Sequence, residues 1–130
     1  MNPENGIQVI LHSEALVLFK QGARLIDIRP EWEFAFKKLQ VSDAINIPYY
    51  EIPSRWQEIS RDGIFVLCDS AGVHSRRTAN ALLEYGFKEV YILAGGFIEW
   101  ERGGLPVITD ISEKLSGSCM CQLRPRFKKK

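Results

Sequence analysis

Cys68 is the residue whose type and position point most directly to chemistry. It closes the apolar run Ile64–Cys68, and a short loop of mostly small residues follows it, Asp69-Ser70-Ala71-Gly72-Val73-His74-Ser75. A free cysteine is often only a small core hydrophobe. At the carboxyl end of a strand, just before a helix N-terminus, the same residue faces a ring of backbone N–H groups. Those groups and the helix dipole stabilise a thiolate and any bound oxyanion. Ser70, Ala71 and Gly72 are small enough for the backbone to curl around such a site. This reading predicts Cys68 as a reactive nucleophile at the end of its strand.

Other constellations carry less. Cys119-Met120-Cys121 is a Cys-x-Cys pair, but no further Cys or His clusters with it, so a zinc site is weakly supported. Its thiols are chemically available for exchange, or the pair is an unremarkable tail. Arg124, Arg126 and Lys128–Lys130 make a basic end that is too short for nucleic-acid binding. Asp27 and Arg29 end a strand near Cys68 and read as an ion pair or loop anchor. Trp32, Trp56 and Trp100 read as helix faces packed on a sheet, and His12 as structural. No glycine-rich nucleotide-binding motif is present, and no metal or organic cofactor is implied.

The elements that must position Cys68 are legible from periodicity and punctuation. Ile7–Ile10 is a short strand. Ser13 reads as the cap of a helix over Glu14–Lys20 that stops at Gly22. Ala23–Ile28 is a buried strand, and Pro30 opens a helix over Glu31–Lys38. Ala44–Ile47 is a strand closed by Pro48. Ser54 and Gln57 are spaced like a capping box for a helix carrying Trp56. Ile64–Cys68 is a strand, Ser75–Tyr85 a helix ended by Gly86, Val90–Leu93 a strand, and Phe97–Arg102 a helix after Gly95-Gly96. Strands alternating with helices predict an α/β domain, with a central, mostly parallel sheet flanked by helices on both faces. In such sheets ligands bind beyond the carboxyl ends of the strands, which points to the segments after Ile28 and after Cys68.

The chain has 130 residues, 45% hydrophobic and 25% charged, which fits one domain with its own core. The domain is expected over residues 1–108, with a polar, basic tail over 109–130. Lys+Arg 17 against Asp+Glu 16 gives a net charge of +1, so no global basic field points to nucleic acid. No apolar run is long enough to cross a bilayer. The first residues lack the basic and apolar parts of a secretory signal. Three cysteines cannot all pair within one chain, which fits a reducing, cytoplasmic location.

Three segments carry a resemblance to a known family. They are LIDIRPEWEF (Leu25–Phe34) with AINIP (Ala44–Pro48), VLCDSAGVHSRRTANALLEYGF (Val66–Phe87), and VYILAGGFIEWERGGLPV (Val90–Val107). In this order and spacing the chain resembles the rhodanese-like domain family over Ile7–Val107. The resemblance implies a single-domain sulfurtransferase of the thiosulfate type. Cys68 would take a sulfane sulfur from a small anionic donor as a persulfide and pass it to cyanide, a thiol or a protein acceptor. The loop amides from Asp69 to Ser75 would hold the persulfide anion.

Departures from the family pattern keep two other readings open. Many single-domain members have a Cys-Arg-Ser-Gly-x-Arg-Ser loop. Counted from Cys68, the loop here is one residue longer. Asp69 follows the cysteine, where a carboxylate raises a thiol pKa and repels anionic donors. His74 stands at a basic position near the loop end and does not supply a dependable cation. These features motivate a catalytically weak or inactive binding module. The longer loop also resembles that of related phosphatases and arsenate reductases. Those relatives use an arginine at the position of His74, and an imidazole cannot reproduce its bidentate grip on an oxyanion.

Overall fold

The computed structural model describes residues 7–110. Its centre is a five-stranded sheet in the order β1-β6-β5-β2-β4, parallel throughout. The strands are β1 (Ile7–Ile10), β2 (Arg24–Asp27), β4 (Ala44–Asn46), β5 (Ile64–Cys68) and β6 (Glu89–Leu93). The helices are α1 (His12–Lys20), α2 (Glu31–Phe36), α3 (Ile52–Arg55), α4 (Ser75–Glu84) and α5 (Gly96–Arg102). This is the α/β architecture that the alternation of strands and helices predicts.

Parallel strands need crossovers, and the crossovers cover both faces. On one face Ile26, Phe65, Leu67 and Val90 pack with Ile52 of α3 and Ala79 and Leu82 of α4. On the other, Leu25, Val66, Cys68 and Leu93 pack with Ala15 of α1 and Phe97 and Trp100 of α5. Successive residues of β5 therefore alternate strictly between two buried layers. That alternation decides where the side chain at the strand's end goes.

Several boundaries differ from expectation. Helix α1 starts at His12, with the Leu11 amide donating to the Glu14 carboxylate at 2.8 Å, so Ser13 is not the cap. The expected helix over Glu31–Lys38 ends at Phe36. Lys37–Leu39 instead forms strand β3, antiparallel to β7 (Val107–Thr109). Ser54 lies inside α3, where its hydroxyl donates to Glu51 O, and Trp56 opens a separate 3-10 turn, Trp56–Glu58. Trp100 is fully buried and Trp56 stacks on Tyr85, but Trp32 is 71% exposed and does not pack on the sheet. No helix among the described residues is long and apolar enough to cross a membrane.

Candidate active site

Strand β5 lies between β2 and β6, and its carboxyl end opens into the 69–74 loop. Because Val66 faces the α1/α5 layer, Cys68 faces it too. Its side chain is fully buried, in a cluster with Leu25, Val66, Leu93, Phe97 and Trp100. Its thiol donates to Asp69 O at 3.5 Å. Burial pushes the Cys68 pKa well above its ordinary value, and the Asp27 and Asp69 charges push the same way against a smaller opposing effect of Arg29. The expectation of a Cys68 thiolate facing the loop amides is therefore corrected. The pleat turns this side chain into the core.

The next residue makes the contacts expected of Cys68. One Asp69 carboxylate oxygen, Oδ1, accepts the Ser70 amide at 2.7 Å, and the other, Oδ2, accepts the His74 amide at 2.6 Å. Asp69 is buried and precedes the N-terminus of α4, where the helix dipole favours negative charge. The cradle of main-chain amides exists, and it holds an aspartate carboxylate. Gly72, at φ +93°, supplies the left-handed turn that brings the His74 amide back toward Asp69.

Helix α5 fixes the other side of this loop. The Phe97 amide donates to Asp69 O at 2.7 Å and the Ile98 amide to Ser70 O at 3.0 Å. Two loop carbonyls are thus satisfied by α5. This approach requires Gly96, because a Cβ there would lie 2.2 Å from Asp69 O.

Asp27 and Arg29 form the expected ion pair. The Arg29 guanidinium donates to both Asp27 carboxylate oxygens, at 2.9–3.2 Å, and to Lys37 O at 2.7 Å. It also stacks on Phe97, 4.3 Å from the ring centre. Burial opposes the Arg29 charge, but the hydrogen bonds and charge of Asp27 overcome it and raise the guanidinium pKa. The pair is committed to the core and not offered to a substrate.

Beyond the strand ends is a cavity of about 250 Å³, lined by Pro30, Glu33, Tyr49, Asp69, Ser70, Ala71, Val73 and His74. Five of the seven predicted loop residues therefore share it. Gly72, Ser75 and Cys68 are not among its lining residues. Ser75 is buried, and its hydroxyl has no hydrogen-bond partner among the described residues. The imidazole of His74 stacks flat on Tyr49, with ring centres 3.7 Å apart, so His74 reaches Asp69 through its amide and not its ring. The Ser70 hydroxyl donates to Glu33 at 2.9 Å. Sequence reading missed Pro30, Glu33 and Tyr49, although the strand-end rule already pointed to the segment after Ile28. Cys119 and Cys121 lie outside the described residues. Among the described residues no cluster of His, Cys, Asp or Glu could hold a metal ion.

The shift by one residue also removes the loop anomaly. Counted from Asp69, the segment Asp69–Ser75 matches Cys-Arg-Ser-Gly-x-Arg-Ser in length, with Gly72 and Ser75 on its glycine and final serine. Asp69 then stands at the cysteine position and His74 at that of the second arginine.

Comparison with known proteins agrees with this architecture. A thiosulfate sulfurtransferase GlpE of Actinobacillus pleuropneumoniae is 35% identical over 107 residues, covering 82% of this chain and 96% of that protein. A sulfurtransferase of Allochromatium vinosum is 36% identical over 84 residues, covering 65% and 77%. The crystal structure of a rhodanese-related protein from Thermoplasma volcanium superposes with a TM-score of 0.69 at 23% identity, covering 79% and 99%. The family model described as Rhodanese-like domain matches residues 12–102, from the start of α1 to the end of α5. By this match and these relatives, the chain belongs to the rhodanese-like domain family.

Proposed function

We propose that this domain is a rhodanese-like binding module in which the Asp69 carboxylate takes the place of a reactive sulfur. The observation that carries this reading is the pair of amide contacts to Asp69, at 2.7 and 2.6 Å, with Cys68 buried on the opposite side of the strand. A cradle already filled by a fixed anion has no vacancy for a persulfide. A second carboxylate, Glu33, lines the same cavity and disfavours thiosulfate further. The phosphatase and arsenate reductase reading loses its motive, because the loop has no extra residue when counted from Asp69.

A second reading keeps catalysis, and the names of the relatives favour it. Here Cys68 is the persulfide carrier, with a small anionic donor and a thiol or cyanide as acceptor. This reading requires Cys68 to leave the core. A cytoplasmic location suits either reading, since it keeps the Cys68 thiol reduced.

Incubation with thiosulfate followed by intact mass measurement separates the two. The expected result is no sulfur adduct on the natural chain and no release of thiocyanate on adding cyanide. Asp69→Cys should gain one sulfur. Its thiolate attacks the sulfane sulfur, the thiosulfate S–S bond breaks, and the electron pair leaves with sulfite. Cyanide then takes the terminal sulfur as thiocyanate and restores the thiolate. A Cys68-dependent adduct on the natural chain, with thiosulfate, mercaptopyruvate or polysulfide, overturns the binding-module reading.

A further inference from the structure

The mouth of the Asp69 cavity is rimmed by apolar side chains that nothing in the described residues covers. Val73, in its wall, is 77% exposed. Tyr50 is 57% exposed, and its ring meets that of the wall residue Tyr49 edge-on at 5.1 Å. Inside the rim the lining residues include the carboxylates of Glu33 and Asp69, and neither lysine nor arginine. An apolar rim around a negatively charged hollow is complementary to a segment that brings a cation between apolar side chains. It is a poor receptor for the small anions that a sulfur-transfer pocket would take.

The chain itself contains such a segment. Leu123-Arg124-Pro125-Arg126-Phe127 alternates apolar residues with guanidinium groups, and three lysines follow it. Its tether starts on the correct side. The Asp110 amide donates to Phe36 O at 2.8 Å, at the end of α2. The six residues of α2 span about 9 Å, and Glu33 is in its first turn. The fourteen residues from Asp110 to Arg124 reach up to about 50 Å. This contour length exceeds that distance several-fold, so the segment can reach the cavity of its own molecule.

We propose that Leu123–Phe127 docks over this cavity in the same molecule, with a guanidinium against Glu33 and its apolar residues on the Tyr50 and Val73 rim. This rests on the reading that the cavity is a binding site, and it names the occupant. An external basic–apolar peptide would have to compete with the chain's own segment.

The test uses the full chain with a nitroxide on Cys121, in a Cys68→Ala, Cys119→Ser background, and reads amide intensities by NMR. The expected result is signal loss at Ser70, Val73 and His74. High salt should relieve it, because the screening length falls from about 10 Å at 0.1 M to about 3 Å at 1 M. Glu33→Gln should relieve it too. In the natural chain, Arg124→Glu with Arg126→Glu should shift the same three amides. Undiminished intensities together with unshifted amides overturn the proposal. So does signal loss that occurs only between separately labelled molecules in a mixed sample, which would make the occupant a second copy. A thiosulfate adduct on Cys68 would sink the binding-module reading without altering the broadening, so the two failures are distinguishable.

Discussion

The Cys68 thiol is buried in an apolar layer that disfavours its ionised form, so its titration is coupled to unfolding. Its pKa is raised in the folded chain, whereas an unfolded cysteine titrates near ~8.5. The folded state therefore holds the proton more tightly. Its contribution to stability is complete below ~8.5 and is lost as pH rises from there toward the folded value, at about 1.4 kcal/mol per pH unit. Urea unfolding of the natural chain and of Cys68→Ala across this window should show the steeper decline in the natural chain; parallel curves would contradict the burial of the thiol. Asp69 makes a different prediction. Asp69→Ala leaves the Ser70 and His74 amides without their acceptor, at a cost of about 1–3 kcal/mol for a buried donor. Asp69→Asn keeps one acceptor oxygen and should fall between. If both variants unfold at the midpoint of the natural chain, the carboxylate is not organising the loop.

At the level of elements, the loop is held from two sides, and each hold can be removed separately. Gly96 lets α5 approach until its amides cap Asp69 O and Ser70 O. Its φ of +60° and the 2.2 Å approach to backbone leave no room for a methyl group. Gly96→Ala should therefore destabilise by more than the roughly 1 kcal/mol of an ordinary glycine position, and it should shift the amides of the 69–74 loop. The Asp27–Arg29 pair ties the end of β2 to the start of β3 through Lys37 O. Asp27→Ala strands a buried guanidinium and should cost about 3–5 kcal/mol. Replacing both partners by apolar residues should recover much of that loss, and thermal melts of the single and double variants would read it. Of these elements, the sheet strands were legible as short apolar runs between turn residues, and α4 because its apolar residues recur at helical spacing. The β3–β7 ribbon was not. Lys37-Lys38-Leu39 has no strand pattern of its own, and only its pairing with Val107–Thr109, far along the chain, makes it a strand.

For the whole molecule, the fold was far more legible than the chemistry of its site, and the reason is a one-residue phase. Composition and order fix an α/β sheet whichever of Cys68 or Asp69 ends the strand. The site depends on which of them turns into the loop, and the pleat reverses direction at every residue. The alternation of Phe65, Val66 and Leu67 between two buried layers carries that information. All five residues of β5 are apolar, however, so the sequence contains no polar marker of phase. The same central position predicts how the molecule opens. Strand β5 pairs on both edges, and both its faces are covered. The β3–β7 ribbon has two short strands, with exposed Ile108 at its surface. The Trp100 indole donates to Pro106 O at 2.8 Å just before β7, linking the ribbon to the core. Amide exchange should therefore be slowest at Val66 and Leu67, at the free energy of global unfolding, and faster in the ribbon through a smaller opening. Trp100→Phe keeps most of the ring but removes the indole donor. It should accelerate exchange in Lys37–Leu39 and Val107–Thr109 more than at Val66, because the lost bond tethers the ribbon to the core. Equal acceleration at both sites would mean that ribbon and sheet open as one unit, and that the indole bond stabilises only the whole.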